Sequence, residues 1–219
     1  MAKMLWDQMG ERLYETGVEQ VAIYPMGTDG KYGAGAPWNG ITAVNESPSG
    51  AESTPLYAND KKYGELTSAE EFGGTIEAYM YPDEFAECNG EKEVVPGMTL
   101  SQQTRKPFCM AYKTLIGNDT EGIKHGYKLN VVYNAKVTPS EKTNNTVNDS
   151  PEAGTMSWEF TTTPVEVEGY DATAKLTFDS TKIEKSKLEQ LEAKLYGSSD
   201  AEPEILMPDE IIELIGTAG

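Results

Sequence analysis

A two-residue alternation of apolar and polar side chains recurs in separate segments of this chain. In 71–81, the residues Phe72, Ile76, Ala78 and Met80 would share one face of a strand. Successive side chains of a β-strand point to opposite sides, so this period predicts a strand with one apolar face. Other segments that read as strands are 18–25, 107–115, 127–137, 156–162 and 173–178.

Six or more antiparallel strands with one apolar face each predict a mainly β (α+β) fold. The expected architecture is an antiparallel β-sandwich or half-barrel whose second face meets solvent or a channel. The pair Gly73-Gly74 interrupts the alternation of its strand. Glycine inside a strand indicates either a bulge or the close approach of another backbone.

One flanking amphipathic helix is predicted late in the chain, over about 184–196. Ser186 and Glu189 fit a capping box there, and Gly197 stands where a helix-ending glycine belongs. The remaining segment, 198–219, is expected to be a C-terminal tail that contains a short helix starting at Pro208. The apolar stripe of the main helix consists of Ile183, Leu188, Leu191 and Leu195.

Two polar segments rich in turn-forming residues, 45–65 and 138–155, are predicted to be long loops. Long loops are uncommon within compact domains and usually indicate function, disorder or contact with a partner. The N-terminal segment 1–17 has scattered apolar residues and is either a short helix or an ordered arm. We expect a single domain over 1–219.

The net charge of −18 argues against a wrapped or groove-bound nucleic acid, because such binding depends on Lys and Arg neutralising phosphates. The charge is unevenly distributed. Segment 105–142 carries seven Lys or Arg and three acidic residues, a net +4, which leaves −22 on the rest of the chain. A basic centre in an acidic chain can pair with acidic surfaces of neighbouring copies, although a solvated mixed surface explains the same charges.

Catalytic, metal-binding and cofactor-binding motifs are not evident, so neither an enzyme nor a cofactor is expected. The glycine-rich segment 26–37 fits no phosphate-binding pattern. His125 is the single histidine, and we expect it to be an exposed loop residue without a catalytic role. Cys88 and Cys109 are expected to be reduced structural thiols. The longest apolar runs are only a few residues, so no membrane-spanning segment is predicted.

Several stretches together resemble the major tail proteins, or tail tube proteins, of long-tailed, non-contractile bacteriophages and prophages. They cover nearly the whole chain in order, which makes the resemblance more specific than any one motif. The stretches are WNGITAVNESPSGAE (38–52), LYANDKKYGEL (56–66), TSAEEFGGTIEAYMYPDEFAECNG (67–90), LIGNDTEGIKHGYKL (115–129), NDSPEAGTMSWEFTTTPVEV (148–167), LEAKLYG (191–197) and MPDEIIELIG (207–216).

The resemblance implies a structural virion protein that assembles into rings, hexameric in the family, which stack into a hollow tube for genome ejection. It implies tape-measure, tail-terminator and tail-tip proteins as partners, with DNA passing through the tube without specific binding. The expected location is the virion tail, and the host cytoplasm before assembly. The family supplies no catalytic or cofactor residues to transfer to this chain.

Within this hypothesis, segment 45–65 is an arm between subunits, and its predicted anchors are Leu56, Tyr57, Lys61, Lys62 and Tyr63. The polar strand faces are candidates for the tube lumen, with Glu71, Thr75, Glu77 and Glu159 as the predicted lining residues. The alternative function is a β-sandwich cell-surface or carbohydrate-binding module. Exposed aromatic residues clustered on one face would favour that alternative, and the missing apolar signal segment counts against it.

Overall fold

The structure is a computed structural model that describes residues 3–147, 149 and 153–216. The strands in chain order are β1 (Tyr14–Pro25), β2 (Ala36–Pro37), β3 (Ile41–Glu46), β4 (Ser49–Gly50), β5 (Ser53–Ala58), β6 (Lys61–Thr67), β7 (Glu70–Glu71), β8 (Gly73–Ala78), β9 (Lys92–Val95), β10 (Met98–Leu100), β11 (Phe108–Asn118), β12 (Gly122–Val137), β13 (Met156–Thr162), β14 (Val165–Val167), β15 (Tyr170–Thr173) and β16 (Lys175–Asp179). The helices are α1 (Lys185–Tyr196) and α2 (Pro208–Gly216), and a 3-10 turn covers Asp83–Phe85.

The main element is an eight-stranded sheet with the order β2-β1-β11-β12-β13-β8-β3, in which β16 pairs beside β12. All of its pairings are antiparallel. The sheet forks along β12: Lys128–Val132 pair with β16, whereas Ala135–Val137 pair with β13. The mainly β, antiparallel fold expected from the alternation is therefore confirmed.

Strands from both ends of the sheet pack their side chains into one core, which we call the inner core. Val21 of β1 and Ile76 of β8 both belong to it. The Tyr112 hydroxyl of β11 donates a hydrogen bond of 2.6 Å to Glu46 of β3, two strands that are not neighbours in the sheet. The sheet therefore curls around this core, in agreement with the predicted half-barrel. Trp38, Phe85 and Trp158 form an aromatic cluster within it, with ring centroids 4.3 to 5.6 Å apart.

A second core, the outer core, lies between the opposite face of β1, β11 and β12 and the two helices. Leu188, Leu191 and Leu195 of α1 are buried there, as predicted for the apolar stripe. Burial of a leucine side chain stabilises the fold by about 1.5–3 kcal/mol. Tyrosine hydroxyls fix the helical layer to the sheet, because Tyr24 donates to the Leu195 carbonyl and Tyr133 donates to the Leu206 carbonyl.

The two glycines of β8 mark a close backbone approach, one of the two interpretations of the sequence. Gly74 pairs with Phe160 on one side and with Glu46 on the other, without a shift of register. A Cβ atom at Gly74 would lie 2.1 Å from the carbonyl oxygen of Asn45 and 3.0 Å from the Phe160 ring. Only glycine allows β3 to lie this close to β8.

Segment 45–65 differs from its prediction as a loop, because most of it is β-structure. It forms the end of β3 and then the hairpin β5–β6. The strands β11 and β12 extend beyond the predicted segments 107–115 and 127–137, since Asn118 already pairs with Gly122 and the turn between them is short. The described residues of 138–155 before β13 contain no helix or strand, and Asn148 and 150–152 lie outside the described residues.

The predicted helices are present, but the predicted capping box is not. Helix α1 begins at Lys185, one residue after the start of the predicted range, and Gly197 ends it with a φ of 80°. Glu184 is the N-cap residue and makes no side-chain capping bond. Ser186 lies inside the helix and donates to the Glu184 carboxylate at 2.6 Å. Segment 198–219, predicted as a tail, carries α2, which starts at Pro208 as expected.

Candidate functional surfaces

The first candidate surface is a projecting ribbon, residues 49–71, which we call the arm. At its base Ser49 pairs with Glu71, and further out β5 pairs with β6. Asn59 and Asp60 connect these two strands with φ angles of 51° and 59°. Positive φ at both central residues is the signature of a type I′ turn, whose twist matches that of a β-hairpin. The arm is therefore an ordered hairpin.

The arm exposes the apolar side chains that the sequence singled out. Leu56 is 40% exposed, Tyr57 71% and Tyr63 81%, and Leu66 in the same hairpin is 61% exposed. Leu56 pairs with Gly64 and Tyr57 with Lys62, so Tyr63 is an extra residue without a counterpart. Such a bulge changes the direction in which a side chain points. A two-stranded hairpin is at best marginally stable in water, so this one is suited to packing against a partner.

Two predicted anchors of the arm are charged. Lys62 forms a salt bridge with Glu65 of the same hairpin, and both side chains are about half exposed. Lys61 lies next to it at the tip and is exposed. An exposed ion pair contributes roughly 0–1 kcal/mol, so Lys62 can exchange Glu65 for another acid at little cost.

The second candidate surface is the outer face of β3, β8 and β13, which we call the bare face. Glu159 pairs with Thr75 and Ser157 pairs with Glu77, so three of the four predicted lumen residues lie together. Asn45 donates to the Glu77 carboxylate at 3.2 Å. Glu71, the fourth predicted residue, lies at the base of the arm and not within this group.

Side chains of the bare face are half-buried or exposed, although their neighbours on the same strands are buried. Ile76 and Trp158 point into the inner core, while Thr75, Glu77 and Glu159 do not belong to either core. Both helices pack on the other half of the sheet. The face is thus polar, acidic and uncovered within the described part of the chain.

The third candidate surface is the N-terminal segment, whose tryptophan the sequence interpretation did not single out. Met4 is 76% exposed, Trp6 72% and Met9 83%. Residues 3–13 contain neither helix nor strand. Of the two predictions for the N-terminal segment, an ordered non-helical segment and a short helix, the structure therefore shows the first. Asp119 accepts a hydrogen bond of 2.9 Å from the Gly10 amide and thereby fixes the segment to the β11–β12 turn. A tryptophan beside methionines in a polar chain was a usable signal.

The fourth candidate surface is a groove of about 750 Å³ between β1, the segment after β2 and the end of α1. Its volume lies within the roughly 300–1,000 Å³ of typical ligand pockets. Its walls include Val18, Val21, Trp38, Ile41, Leu195 and Tyr196. No sequence motif predicted this groove, because its residues come from three distant parts of the chain.

A buried ion pair lies beside the groove. The Lys113 ammonium is 2.9 Å from the Glu192 carboxylate, and it also faces the rings of Tyr127 and Tyr196 at 4.4 and 5.5 Å. The Tyr127 hydroxyl donates to Glu192. The pKa of Tyr127 is raised well above its usual value, mainly by burial and to a smaller extent by this hydrogen bond to a carboxylate. The arrangement fixes α1 to the sheet and offers no unpaired base.

The single histidine and the two cysteines, the side chains most often used in catalysis, are held in structural contacts. The prediction that His125 lies in a loop is wrong, because the residue lies in β12. Its Nδ1 is 2.7 Å from the Glu121 carboxylate and 3.2 Å from the Asn118 side-chain amide. Cys88 and Cys109 are buried and unpaired, as predicted, and burial raises their pKa values to about 12 and about 11. Buried thiols of this kind react slowly, because the thiolate is the nucleophile.

Among the residues that the structure describes, no group of three or more His, Cys, Asp or Glu side chains is placed to hold a metal ion. None of the described helices has both the length and the apolar character needed to cross a lipid bilayer.

No family model matches the sequence, and no curated protein matches it. Among solved structures, a similar chain occurs in the sheath-tube complex, in its extended state, of an extracellular contractile injection system, PVC. The TM-score is 0.30 at 12% identity, over 73% of this chain and 88% of that chain. A TM-score this low does not establish a common fold, so nothing further is inferred from it.

Proposed function

We propose that this chain is the repeating subunit of a non-contractile tail tube, a structural virion protein without enzymatic activity or cofactor. The observation that carries the proposal is the arm. It is an ordered hairpin whose exposed side chains Leu56, Tyr57, Tyr63 and Leu66 belong to neither core. An exposed apolar surface of this kind marks a contact with another molecule. The resemblance of nearly the whole sequence to tail tube proteins supports another copy of this chain as that molecule.

The arm supports a tube because its contact joins two different surfaces. An arm that packs on the body of the next copy makes a heterologous interface, which closes into rings or continues as a filament. Stacked rings, hexameric as in the family, need one such contact around the ring and another between rings. Arm residues Lys61 and Lys62 would meet acidic residues of the neighbouring copy in a chain with a net charge of −18.

The bare face supports the same function through its charge. Duplex DNA carries about one negative charge per 1.7 Å of its axis, so Glu77 and Glu159 would repel it. The repulsion acts within a Debye length of about 8 Å at physiological salt. If the bare face lines the bore, DNA passes without adhering. The tape-measure, tail-terminator and tail-tip proteins would be further partners, in the virion tail after assembly in the host cytoplasm.

Removal of the arm tests the proposal. Glu52 and Ser68 exchange backbone and side-chain hydrogen bonds at the base of the hairpin, so 53–67 can be replaced by Asn-Gly between them. Negative-stain microscopy of concentrated protein should show tubes or rings for the natural chain and no tubes for the shortened one. Thermal unfolding of the monomer should hardly change, because the arm contributes to neither core.

A matched pair of point variants refines this test. Tyr63→Ser removes an exposed tyrosine of the arm, and Tyr170→Ser removes one, 74% exposed, from the separate β14–β15 ribbon. The first should reduce tube formation and the second should not. Tubes of normal length from the shortened chain would refute the role of the arm. A chain that stays monomeric and binds glycans would favour the carbohydrate-binding alternative.

A further inference from the structure

The groove has three properties of a peptide-binding site. On the β2 side of β1, strand pairing covers only Ala22 and Ile23. The segment Val18–Gln20, which lines the groove, therefore has no β-partner on that side among the described residues. This stretch of β1 is irregular, with register shifts on both sides of Glu19 and a φ of 52° at Gln20, so its backbone groups form an open but bulged edge. Extended peptides commonly bind by pairing with such an edge, while side pockets take their side chains.

The second property is a hydroxyl group without a partner. Tyr196 lines the groove, and its hydroxyl is buried with no hydrogen-bond partner among the described residues. Buried polar groups nearly always have a partner, and a group left without one costs about 1–3 kcal/mol. Because the hydroxyl is enclosed, the Tyr196 side chain would have to turn toward the groove for a backbone amide or carbonyl of an incoming segment to become that partner.

The third property is a mixture of apolar walls and an acidic rim. Val21 and Trp38 are buried wall residues, and Val18 and Ile41 are half-buried. Glu19 lies on the exposed rim and forms no salt bridge within the described part of the chain. The groove therefore fits an extended, apolar segment with a positive charge beside its apolar residues.

The N-terminal segment has this chemistry. Met4, Leu5, Trp6 and Met9 are all more than 60% exposed, and Lys3 precedes them. Tryptophan is among the residues most enriched at the centres of protein interfaces. Residues 3–9 are not part of the groove lining. To reach the groove of its own copy, the segment would have to reverse at Gly10 and run back along β1.

We propose that the groove binds residues 3–9 of a second copy of this chain. Each copy carries one such segment and one groove, so the contact joins unlike surfaces and links copies head to tail. Trp6 lies against the apolar walls, Lys3 pairs with Glu19, and the backbone of the segment adds to β1. This inference rests on the proposed self-assembly and adds a contact that does not involve the arm.

Photo-crosslinking tests the contact directly. Trp6 is replaced by p-benzoylphenylalanine, which keeps an aromatic side chain, and heavy-isotope and light copies are mixed before irradiation. Mass spectrometry should find mixed-isotope crosslinks from the N-terminal peptide to peptides containing 18–22, 35–41 or 192–197. Crosslinks confined to single-isotope pairs would show binding within one copy and overturn the proposal, as would crosslinks to another surface or none.

Blocking variants give an independent measurement. Ala193→Arg places a long side chain at the groove on an exposed helical position, and Ala172→Arg makes the same change on exposed β15 away from it. The first should reduce the mixed-isotope crosslinks several-fold and the second should not. The exchange Lys3→Glu with Glu19→Lys should restore crosslinking that either single change lowers.

The outcomes separate this contact from the tube proposal. If Trp6→Ser leaves normal tubes and the crosslinks lie elsewhere, the docking is refuted and the tube subunit remains. If groove crosslinks form in small oligomers while concentrated protein makes neither rings nor tubes, the docking holds and the tube proposal fails.

Discussion

The half of the sheet built from β1, β11 and β12 is covered on both faces, whereas the half built from β3, β8 and β13 is covered on one. In the first half, Met110 points to the inner core and Ala111 to the outer core beneath the helices. In the second half, Trp158 is 3% exposed and its neighbour Glu159 is exposed. The two halves meet where β12 pairs with β13 in one continuous sheet, so the difference arises from where the helices pack.

This difference separates stability from assembly. A strand buried on both faces packs only against other parts of the same chain, so substitutions there change the stability of the fold. A strand with one polar, uncovered face leaves that face available to solvent, to a channel or to another copy. Each of the following substitutions changes a residue in one half, and its effect on the free energy of unfolding or on assembly function tests this division.

The largest expected effect is in the covered half. Leu191→Ala removes a fully buried side chain from the contact between α1 and the sheet. A Leu→Ala change in a core lowers the free energy of unfolding by about 2–5 kcal/mol. Urea unfolding of the monomer measures it. Ser157→Ala on the bare face is the matched control and should change it by about 0.5 kcal/mol or less.

A smaller loss is expected from Gly74→Ala, in the half with the bare face. The added Cβ would lie 2.1 Å from the Asn45 carbonyl, so β3 would have to move away from β8. Overpacking of this kind costs about 1–3 kcal/mol. Gly64→Ala in the arm is the control, because nothing lies within 4 Å of its added Cβ. Equal unfolding midpoints for the two variants would contradict the close approach.

Charge reversal on the bare face should leave folding nearly unchanged and alter function. The double variant Glu77→Lys, Glu159→Lys changes exposed or half-buried side chains outside both cores, so its unfolding free energy should stay within about 0.5 kcal/mol. If this face lines the bore, lysines would hold DNA, and intact tails would deliver less of it. Normal delivery would remove the bare face from the bore.

The smallest effect concerns the pH dependence of stability at the edge of the covered half. Burial raises the pKa of Glu15, but the hydrogen bonds and charge of Lys128 and the bond from Thr114 outweigh it, and the pKa is lowered. A depressed carboxyl pKa contributes stability above the unfolded value near 4.5, and this contribution is lost as the pH falls through the folded value.

Glu15→Gln measures that contribution. The variant should be slightly less stable than the natural chain at neutral pH, and the difference should shrink as the pH falls below about 4.5. Glu166→Gln, an exposed carboxyl on β14, is a suitable control. A difference between Glu15→Gln and the natural chain that is independent of pH would contradict the ionised pair.

The sequence predicted the long strands β1, β8, β11, β12 and β13, the strand β16, and the main helix with its buried leucines, because each depends on a local period. It did not predict the short strands, among them β5 and β6. It did not predict that β11 is buried on both faces. Cys109 and Ala111 are small and give no strong apolar signal, so only the helices, which come much later in the chain, reveal their burial.

Thr75, Glu77 and Glu159 lie together on a polar strand face, as the alternation predicted, whereas Glu71 lies at the base of the arm. The role of this face stays a prediction.

The arm and the groove show two other limits. Turn-forming residues in 45–65 suggested a loop, yet Asn59-Asp60 between two polar strands forms a tight hairpin turn, a pattern that could have been found in the sequence. The groove could not have been found. The groove forms because Trp38 and Tyr196, which are distant in sequence, both lie next to the same irregular stretch of β1. A local sequence pattern cannot predict such a long-range contact.

Strand β12 joins the two halves of the sheet, because it pairs with β11 on one side and with β13 on the other. This arrangement has a mechanical consequence. The 16 residues of β12 pair with β11 over most of their length, but with β13 only at Ala135, Lys136 and Val137. Hydrogen bonds between antiparallel strands lie perpendicular to them, so tension along β12 loads all rungs of the β11 ladder together. The junction with β13 has far fewer rungs, extended only by the backbone hydrogen bonds from Thr138 to Glu159 and from Thr163 to Asn134. A pulled subunit should therefore yield first at this junction, and the helical half should stay folded while the other half is drawn away.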